Sequence, residues 1–318
     1  MTKVLILGNY GAKNFGDELV LRGILKIIED KNYDIRVLSS DPQETAALHN
    51  VKSGWVFPTG LRSLLRLSIF QTLKYYWETD EVLFGGGTLF TDEESKTIWI
   101  SGLQILPAIL MRKKIVCFRQ GVGQIKHKRI VKWIFDRLSE ITVRDHASQD
   151  ELLKIGVSKT IKVENDPVFS LPKKQADGDE LLVSLRDWPG LDPDFEQKFT
   201  QFLEWTGMPV HVMVFGAEDF RLSSRIAKRT NAKLTRVTMK NYEEIFVSGK
   251  IALNFRLHAS VLSIMFGMPC IGFAYEDKIR NLFEENQLEK YIMGIENIEV
   301  AKLKKLFEDL TKDASVLG

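Results

Sequence analysis

Short apolar runs alternate with amphipathic stretches along most of the chain. Residues 3–8 form an apolar run that predicts a strand, and residues 17–30 carry apolar positions at helical spacing. Further strands are predicted near 34–38, 81–84, 114–118, 140–143, 160–163, 181–185, 210–215, 233–237, 250–254 and 270–273, and further helices near 61–77, 95–111, 128–138, 146–155 and 298–312. Because strands that alternate with helices pair in parallel, this order predicts α/β sheets covered on both faces.

A loss of apolar positions at residues 170–180 divides the pattern into two series. A chain of 318 residues is also long for one hydrophobic core. We therefore predict two doubly wound parallel-sheet domains that face a cleft. The predicted parts are a first domain over 1–170, a linker over 171–180, a second domain over 181–297, and a final helix over 298–318 that packs back on the first domain.

Composition narrows the possible partners. With 44% apolar and 27% charged residues the chain is an ordinary globular protein. Its formal net charge of +2 gives no general case for binding nucleic acid, and none is expected as a partner. Basic clusters at 112–114 and 126–132 are open to two interpretations. They are solvated faces, or they steer an anionic substrate or an acidic membrane surface.

The longest uncharged stretch runs from Ile98 to Met111. It is short for a membrane span and is interrupted by a glycine and a proline, so we predict a buried helix. Cys117 and Cys270 lie in apolar runs without metal-ligand spacing, which favours structural thiols. No signal-type segment precedes the first strand. We expect a cytoplasmic protein without a transmembrane segment, and peripheral contact with the inner membrane face stays open.

The most informative segment is 254–260, Asn-Phe-Arg-Leu-His-Ala-Ser. It places Arg256 and His258 between a predicted strand and a predicted helix, and Tyr275 and Lys278 follow the next strand. In parallel α/β sheets ligands bind at the carboxyl ends of strands. A helix N-terminus beside a fixed cation also attracts anions. The segment therefore predicts a site for a phosphate or carboxylate with a titratable group beside it.

The loop after the first strand is rich in glycine but does not match a nucleotide-binding loop. Gly11 and Gly16 have the spacing of a P-loop, whereas Asp17 and Glu18 stand where that loop has lysine and a hydroxyl residue. One interpretation is that Asp17 is the N-cap of the first helix. The other is that Asp17 or Glu18 accepts hydrogen bonds from sugar hydroxyls or takes a proton from one.

Other strand ends carry further candidate residues. Gly85-Gly86-Gly87 is either a tight turn or a ligand loop, and residues 120–124 form another loop on the same predicted rim. Arg144 closes a strand and either pairs with Asp145 at the surface or points into the cleft. Arg186 occupies the corresponding place in the second domain. A guanidinium group suits bidentate binding of carboxylate or phosphate.

In order along the chain, these motifs resemble the polysaccharide pyruvyl transferases from residue 3 to about 290. The resemblance rests on Gly16-Asp17-Glu18, Gly85-Gly86-Gly87, Val143-Arg144-Asp145, Asp166-Pro167-Val168-Phe169 and Arg256-Leu257-His258-Ala259 with Tyr275 and Lys278. It implies two Rossmann-like domains in a GT-B-like arrangement, with the acceptor side in the first domain and the donor side in the second. It also implies transfer of the enolpyruvyl group of phosphoenolpyruvate to a sugar as a ketal, with release of phosphate and with neither cofactor nor metal.

The resemblance assigns roles to individual residues. His258 is the expected general acid, since an imidazole near neutral pKa is suited to protonate the methylene carbon of the donor. The alternatives are a core or capping histidine and a histidine that only binds the anion. Asp17 or Glu18 is the expected acceptor-side base. Donor contacts are expected from Arg256, Leu257, Lys278, Arg144 and Arg186, and other substrate contacts from Gly11, Asn14, Gly16, Gly86, Gly87 and Tyr275.

Two other functions remain open. A GT-B glycosyltransferase that uses a nucleotide sugar has the same fold and anion-binding loops, and a non-catalytic family member has the same architecture. The expected acceptor is a sugar of a cell-surface polysaccharide or of its lipid- or nucleotide-linked precursor.

Overall fold

The structure is a computed structural model and describes residues 1–57, 68–92 and 97–317, with side chains to residue 313. The chain divides into two compact units, Met1–Leu171 and Pro172–Gly318. Each unit contains a sheet in which the paired strands are parallel. This confirms the predicted α/β fold with two parallel-sheet domains.

The sheet of the first unit has the strand order β3-β2-β1-β4-β6-β7-β8, with β5 paired to β6. Its strands are β1 (Thr2–Leu7), β2 (Tyr33–Ser39), β3 (Lys52–Trp55), β4 (Glu81–Gly85), β5 (Thr88–Phe90), β6 (Lys114–Val122), β7 (Glu140–Val143) and β8 (Ile161–Val163). Its described helices are α1 (Phe15–Ile27), α2 (Pro42–His49), α3 (Ser68–Glu78), α4 (Thr97–Leu110), α5 (Lys128–Phe135) and α6 (His146–Lys154).

The sheet of the second unit has the order β11-β10-β9-β12-β13-β14. Its strands are β9 (Glu180–Ser184), β10 (Val210–Val214), β11 (Lys233–Arg236), β12 (Gly249–Asn254), β13 (Cys270–Ala274) and β14 (Ile292–Gly294). Its described helices are α7 (Phe195–Thr206), α8 (Phe220–Thr230), α9 (Tyr242–Val247), α10 (Leu257–Met265), α11 (Asp277–Glu285) and α12 (Val300–Leu317).

Four short elements had no clear pattern in the sequence: α2, β3, β5 and β14. Helix α2 buries Thr45 and the side chain of His49 but no apolar stripe, so it lacks the pattern that marks a helix. It is instead defined by its first turn, where Asp41 accepts a hydrogen bond from Glu44 N (3.1 Å). Strand β3 contains a lysine, a serine and a glycine at the sheet edge. The first parts of the helices predicted at 61–77 and 95–111 lie outside the described residues.

Helix α4 is not the buried helix that its uncharged sequence predicts. Ile98, Ile105 and Ala108 are buried, but Leu103 and Leu110 are exposed. The prediction was wrong because apolar composition does not distinguish a helix inside a core from one that covers it. Within the described residues, no helix is long and apolar enough to cross a membrane.

Aromatic side chains pack against one another in the core of the second unit, close to the ends of its strands. The rings of Phe255, after β12, and Phe273, in β13, stack with centroids 4.2 Å apart. Phe199 of α7 packs edge-on against both. Helix α12 belongs to the same unit, where Phe307 packs against Phe202 of α7 with centroids 5.6 Å apart. The cluster fixes the strand ends from which the next side chains project.

The segment predicted as a linker is attached to the second unit. The backbone N–H of Ala176 donates to Phe266 O (3.0 Å), and that of Gly178 donates to Val247 O (3.1 Å). A Cβ on Gly178 would lie 2.0 Å from Ser248 O, so the backbones approach closely there.

Candidate functional site

Four neighbouring strands of the second unit deliver polar side chains to one edge of its sheet. The strands lie in the order β10-β9-β12-β13. Glu218 and Asp219 follow β10, Arg186 follows β9, Arg256 follows β12 and Tyr275 follows β13. Because the strands are parallel, all these residues lie at their carboxyl ends, where parallel α/β sheets bind ligands. We call this group of residues the strand-end cluster.

Arg256 is fixed by the backbone on either side of it. The preceding Phe255 is fully buried and donates its N–H to Ser184 O (3.1 Å). Arg256 itself is the extended N-cap of α10. Its Nε donates to Asp219 Oδ2 (2.9 Å) and its Nη2 to Asp219 Oδ1 (2.6 Å). This bidentate pair orients the guanidinium on a carboxylate that is 0% exposed.

Burial and pairing act in opposite directions on this pair. Burial raises the pKa of Asp219 above its usual value, and the charges of Arg256 and Arg186 only partly offset that effect. Burial lowers the pKa of Arg256, but Asp219 and Glu218 outweigh it, so this pKa is raised. Removing either partner would leave the other charge buried without its counter-ion, which is costly.

Glu218 joins the two arginines of the cluster. Its Oε1 lies 2.5 Å from Arg256 Nη2 and 2.5 Å from Arg186 Nη1. Burial alone would raise its pKa, but the hydrogen bond from Arg256 leads the effects that lower it to about 2. The side chain of Glu218 is 51% exposed, whereas that of Asp219 is fully buried. Glu218 therefore lies on the solvent side of both guanidinium groups.

Sequence reasoning missed Glu218 and Asp219, although it selected both arginines. The signal was present, since the pair stands shortly after the apolar run 210–215, as Arg186 and Arg256 stand after theirs. Asp219 also accepts a hydrogen bond from Gly216 N (3.1 Å), which holds the turn that presents both carboxylates.

The other predicted donor residues lie around the same strand ends. Leu257 and His258 begin α10 directly after Arg256. The ring of Tyr275 packs on Trp188 with centroids 4.7 Å apart. Burial raises the pKa of Tyr275 to about 12, so the phenol keeps its proton at neutral pH. Lys278, in α11, forms an ion pair with Glu276.

Arg186 retains one unused donor. Its Nη1 is bound to Glu218, whereas its Nε is buried and has no hydrogen-bond partner within the described part of the chain. The guanidinium lies 5.8 Å from the centre of the Trp188 ring. A buried donor without a partner costs free energy, so this nitrogen is suited to bind an anionic ligand.

In the first unit, the structure contradicts the interpretation that Asp17 is the N-cap of the first helix. Asn14 is the N-cap of α1, and its side chain accepts from Gly16 N (3.0 Å). The interpretation of Asp17 as the N-cap was therefore wrong, since Asp17 lies inside the first turn. Its Oδ2 accepts a hydrogen bond from Asn9 Nδ2 (2.9 Å).

Glu18 is engaged through both carboxylate oxygens. Oε1 accepts from Gly11 N (2.7 Å), and Oε2 lies 2.7 Å from His49 Nε2. The side chain of His49 is fully buried, and its Nδ1 has no hydrogen-bond partner in the described residues. Glu18 thus fixes the glycine loop, a role that its position in the sequence did not reveal.

Other groups of the protein approach the backbone of Gly86 and Gly87 so closely that these positions require glycine. Gly86 and Gly87 have φ values of +102° and +70°, which favour glycine. A Cβ on Gly87 would lie 2.6 Å from Asp17 Oδ1, and one on Gly86 would lie 2.7 Å from Tyr10 Oη. The glycine turn therefore lies directly on the β1–α1 loop and helps to enclose Asp17.

Arg144 pairs with Asp145 (Nε to Oδ2, 3.5 Å), as one interpretation expected, but the pair is largely buried inside the first unit and does not lie at its surface. The side chain of Arg144 is 8% exposed. Its Nη1 donates to Asp166 Oδ2 (3.2 Å) and its Nη2 to Thr88 Oγ1 (3.1 Å). The Asp145 carboxylate caps α6 by accepting from Ser148 N (2.7 Å). A donor-binding role for Arg144 stays a prediction.

The site has the side chains for binding an anion rather than a cation. Across residues 1–57, 68–92 and 97–317, no group of three or more His, Cys, Asp or Glu side chains is placed to hold a metal ion. The strand-end cluster instead presents guanidinium groups at the start of a helix. The fold and this cluster define a two-domain parallel α/β protein with two arginines and two carboxylates at the strand ends of its second sheet.

The chain belongs to the polysaccharide pyruvyl transferase family, whose model matches residues 14–277. It is therefore a transferase, as the sequence motifs predicted. A curated relative, the amylovoran biosynthesis protein AmsJ of Erwinia amylovora, is 19% identical over 93% of this chain and 89% of its own length. This likeness supports a role in polysaccharide modification.

Solved structures with the same fold include glycosyltransferases of the GT-B class. The E. coli heptosyltransferase WaaC with ADP has a TM-score of 0.56 and 12% identity, covering 99% of this chain and 100% of that one. A co-structure of S. aureus MnaA with UDP has a TM-score of 0.65 and 14% identity, covering 97% and 88%. At these identities the likeness shows the fold alone.

Proposed function

We propose that this transferase moves the enolpyruvyl group of phosphoenolpyruvate onto a sugar, forms a ketal there and releases phosphate. The observation that carries the proposal is the pair Arg186 and Arg256, held together at adjacent strand ends beside the start of α10. A donor with a carboxylate and a phosphate needs several cations, and guanidinium groups bind both in bidentate fashion.

Donor binding in this proposal begins with an exchange of carboxylates. In the structure Glu218 occupies both guanidinium groups from the solvent side. The donor replaces Glu218 there, and the free Nε of Arg186 supplies a further hydrogen bond. Asp219 remains bound to Arg256 and keeps its guanidinium oriented. Lys278 and Tyr275 complete the donor side.

His258 supplies the proton in the proposed reaction. Protonation of the methylene carbon produces a cationic carbon, which a sugar hydroxyl attacks. A second hydroxyl of the sugar then displaces phosphate and closes the ketal. Of the two protons that the hydroxyls lose, one replaces the proton added at carbon and the other leaves with phosphate. His258 lies in the first turn of α10, two residues after Arg256, beside the proposed donor site.

On the acceptor side, Asp17 or Glu18 is the proposed base. Both oxygens of Glu18 are bound to Gly11 N and His49 Nε2, which a base would have to release. The Oδ2 of Asp17 is bound to Asn9, whose own position is exposed. Asn14, Gly11, Gly16 and the Gly86-Gly87 turn shape the loop around it.

The donor is tested by incubating the full chain with phosphoenolpyruvate and a panel of free, nucleotide-linked and lipid-linked sugars. The proposal expects phosphate release together with a mass gain on one class of sugar that corresponds to a pyruvyl ketal. Sugar transfer from a nucleotide sugar without use of phosphoenolpyruvate would instead establish a glycosyltransferase. We propose a cytoplasmic location, since the cell makes this donor there.

A further inference from the structure

The first unit has an exposed face that takes no part in the proposed reaction. We propose that helices α3, α4 and α5 form a surface that docks on a membrane leaflet containing anionic lipids. The proposal is independent of the donor chemistry, because none of these helices carries a residue assigned to the site. We call this surface the α3–α5 face.

The centre of the face is α4, a helix without any charged residue. Trp99, Leu103 and Leu110 recur at helical spacing, and all three are exposed, Leu110 to 72%. The opposite side of α4 is buried through Ile98 and Ile105. The outer side of α4 therefore exposes apolar side chains that an apolar partner would bury.

The flanking helices extend the apolar surface. Tyr76 of α3 donates its hydroxyl to Gln104 O of α4 (2.6 Å), so these two helices are in contact. On the outer side of α3, Phe70 and Trp77 are 73% and 72% exposed. Helix α5 adds Trp133, which is also exposed. Exposed apolar patches beyond isolated residues mark interaction sites in soluble proteins.

Basic side chains border this apolar surface at α5. Lys126, Lys128 and Arg129 are exposed, and within the described part of the chain none of them forms an ion pair. The ring of His127 packs edge-on against Trp99, which joins the basic run to the apolar helix. Tryptophan beside lysine and arginine is the combination that binds the headgroup region of anionic leaflets.

The position of these charges is unfavourable for the helix itself. Lys128 and Arg129 occupy the first turn of α5, which contains no acidic residue. The helix dipole favours negative charge at that end, so two cations there reduce helix stability. The Asp92 carboxylate, which accepts from the backbone N–H of His127 (3.0 Å), supplies some negative charge at this end, and an anionic surface adds to it.

A second copy of the chain is a less suitable occupant. In a twofold contact the same patch meets itself, so the basic runs of the two copies would approach each other. The repulsion opposes such a dimer, whereas an anionic leaflet attracts the same residues. The combination of charge and apolar surface therefore favours a membrane.

Flotation of the full chain with lipid vesicles tests the proposal. We expect binding to vesicles of phosphatidylcholine mixed with phosphatidylglycerol, and much weaker binding to phosphatidylcholine alone or at high salt. The variant K128A/R129A should bind anionic vesicles roughly 20-fold less, about fivefold for each basic residue removed. The variant W99S/L103S should lose at least roughly tenfold through lost apolar insertion.

Leu153→Ser is the matched control, since Leu153 is an exposed leucine in α6 of the same unit. It should float like the unchanged protein, and circular dichroism of all variants checks the fold. Equal flotation of K128A/R129A and the unchanged protein would overturn the proposal, as would failure of the unchanged protein to bind anionic vesicles. A dimer in solution that W99S/L103S dissociates would show that a second copy covers the face.

Discussion

Glu218 occupies the two guanidinium groups that the proposed donor needs, although it is itself half exposed. Its Oε1 makes 2.5 Å contacts with Arg186 and Arg256, and both must be exchanged when an anion binds. A carboxylate in this place offsets the repulsion between the two guanidinium groups and links them. The same contact lowers donor affinity, because a ligand displaces it at a cost.

Glu218→Gln should therefore bind phosphoenolpyruvate more tightly, by roughly tenfold if one charge-assisted contact is weakened. Titration calorimetry measures the change. Glu196→Gln is the matched control, since Glu196 of α7 pairs with Arg225 and Arg229 of α8 in the same unit. Weaker donor binding by Glu218→Gln would mean that Glu218 positions the arginines rather than competing with the donor. Arg256 is a poor target for this test because its removal leaves Asp219 buried without a counter-ion.

Because the pKa of Glu218 is about 2, only strong acid protonates its carboxylate and weakens its contacts with the two arginines. Its folded pKa lies below the ordinary value of a glutamate, so its pairing stabilises the protein fully at pH values above that ordinary value. The stabilisation is lost as pH falls toward 2. Glu218 therefore stays ionised between pH 6 and 8, and its protonation does not change donor affinity there. In this pH range, only substitution of Glu218 reveals its effect on donor binding.

His258→Gln should lower transfer by at least roughly 100-fold while donor affinity changes little, because the side chain delivers a proton and carries little of the binding. Phosphate release measures the first quantity and calorimetry the second. His146→Gln, at the start of α6 in the first unit, is the control and should retain activity. If His258→Gln releases phosphate at the unchanged rate with a valid acceptor, His258 has no part in the chemistry.

At the scale of elements, the first turn of α1 contains two neighbouring carboxylates with different partners. Asp17→Asn should abolish transfer with little loss of stability, since an amide oxygen still accepts from Asn9. Glu18→Ala should lower the free energy of unfolding by about 1–3 kcal/mol, because it leaves Gly11 N and His49 buried without their acceptor. Urea unfolding and phosphate release separate the two effects. Loss of transfer in Glu18→Gln, with stability retained, would assign the role of base to Glu18.

The elements also show which features a single sequence reveals. Strands such as β1 and β12 were predictable because continuous apolar runs mark buried parallel strands. Helix α2 was not, since its stability rests on the Asp41 cap and not on an apolar stripe. The outer side of α4 was misjudged because composition does not indicate which side of a helix meets solvent.

The sequence likewise revealed some residues of the candidate site and not others. Arg186 and Arg256 were identifiable from their places after apolar strands, whereas the anion-binding character of the segment stays a prediction. Their shared partner Glu218 was not, since strand order decides which strand ends are neighbours. The sequence separates Glu218 from Arg186 by 32 residues and from Arg256 by 38. Only the order β10-β9-β12 brings the three together.

For the whole molecule, the donor contacts that the structure brings together belong to one unit. Arg186, Glu218, Asp219, Arg256 and Tyr275 all lie in Pro172–Gly318, whereas Arg144 lies in Met1–Leu171. The resemblance assigned Arg144 to the donor as well. Its guanidinium is bound to Asp166 and Thr88 inside the first unit, which favours a structural role.

Donor-induced stabilisation distinguishes these two roles. A ligand at 100 times its dissociation constant stabilises the state that binds it by about 2.7 kcal/mol, which corresponds to roughly 5–10 °C for a domain of this size. Scanning calorimetry with phosphoenolpyruvate should show this shift, and a nucleotide sugar should not. If the units unfold in separate transitions, only that of the second unit should move.

Arg186→Ala and Arg144→Ala complete the comparison where the two units unfold together. Arg186→Ala should reduce the donor-induced shift strongly, since it removes both the bond to Glu218 and the unused Nε donor. Arg144→Ala should lower the unfolding temperature of the free protein but leave the donor-induced shift in place. A shift that disappears in Arg144→Ala would show that the donor contacts both units, and it would give Arg144 the binding role that its motif implies.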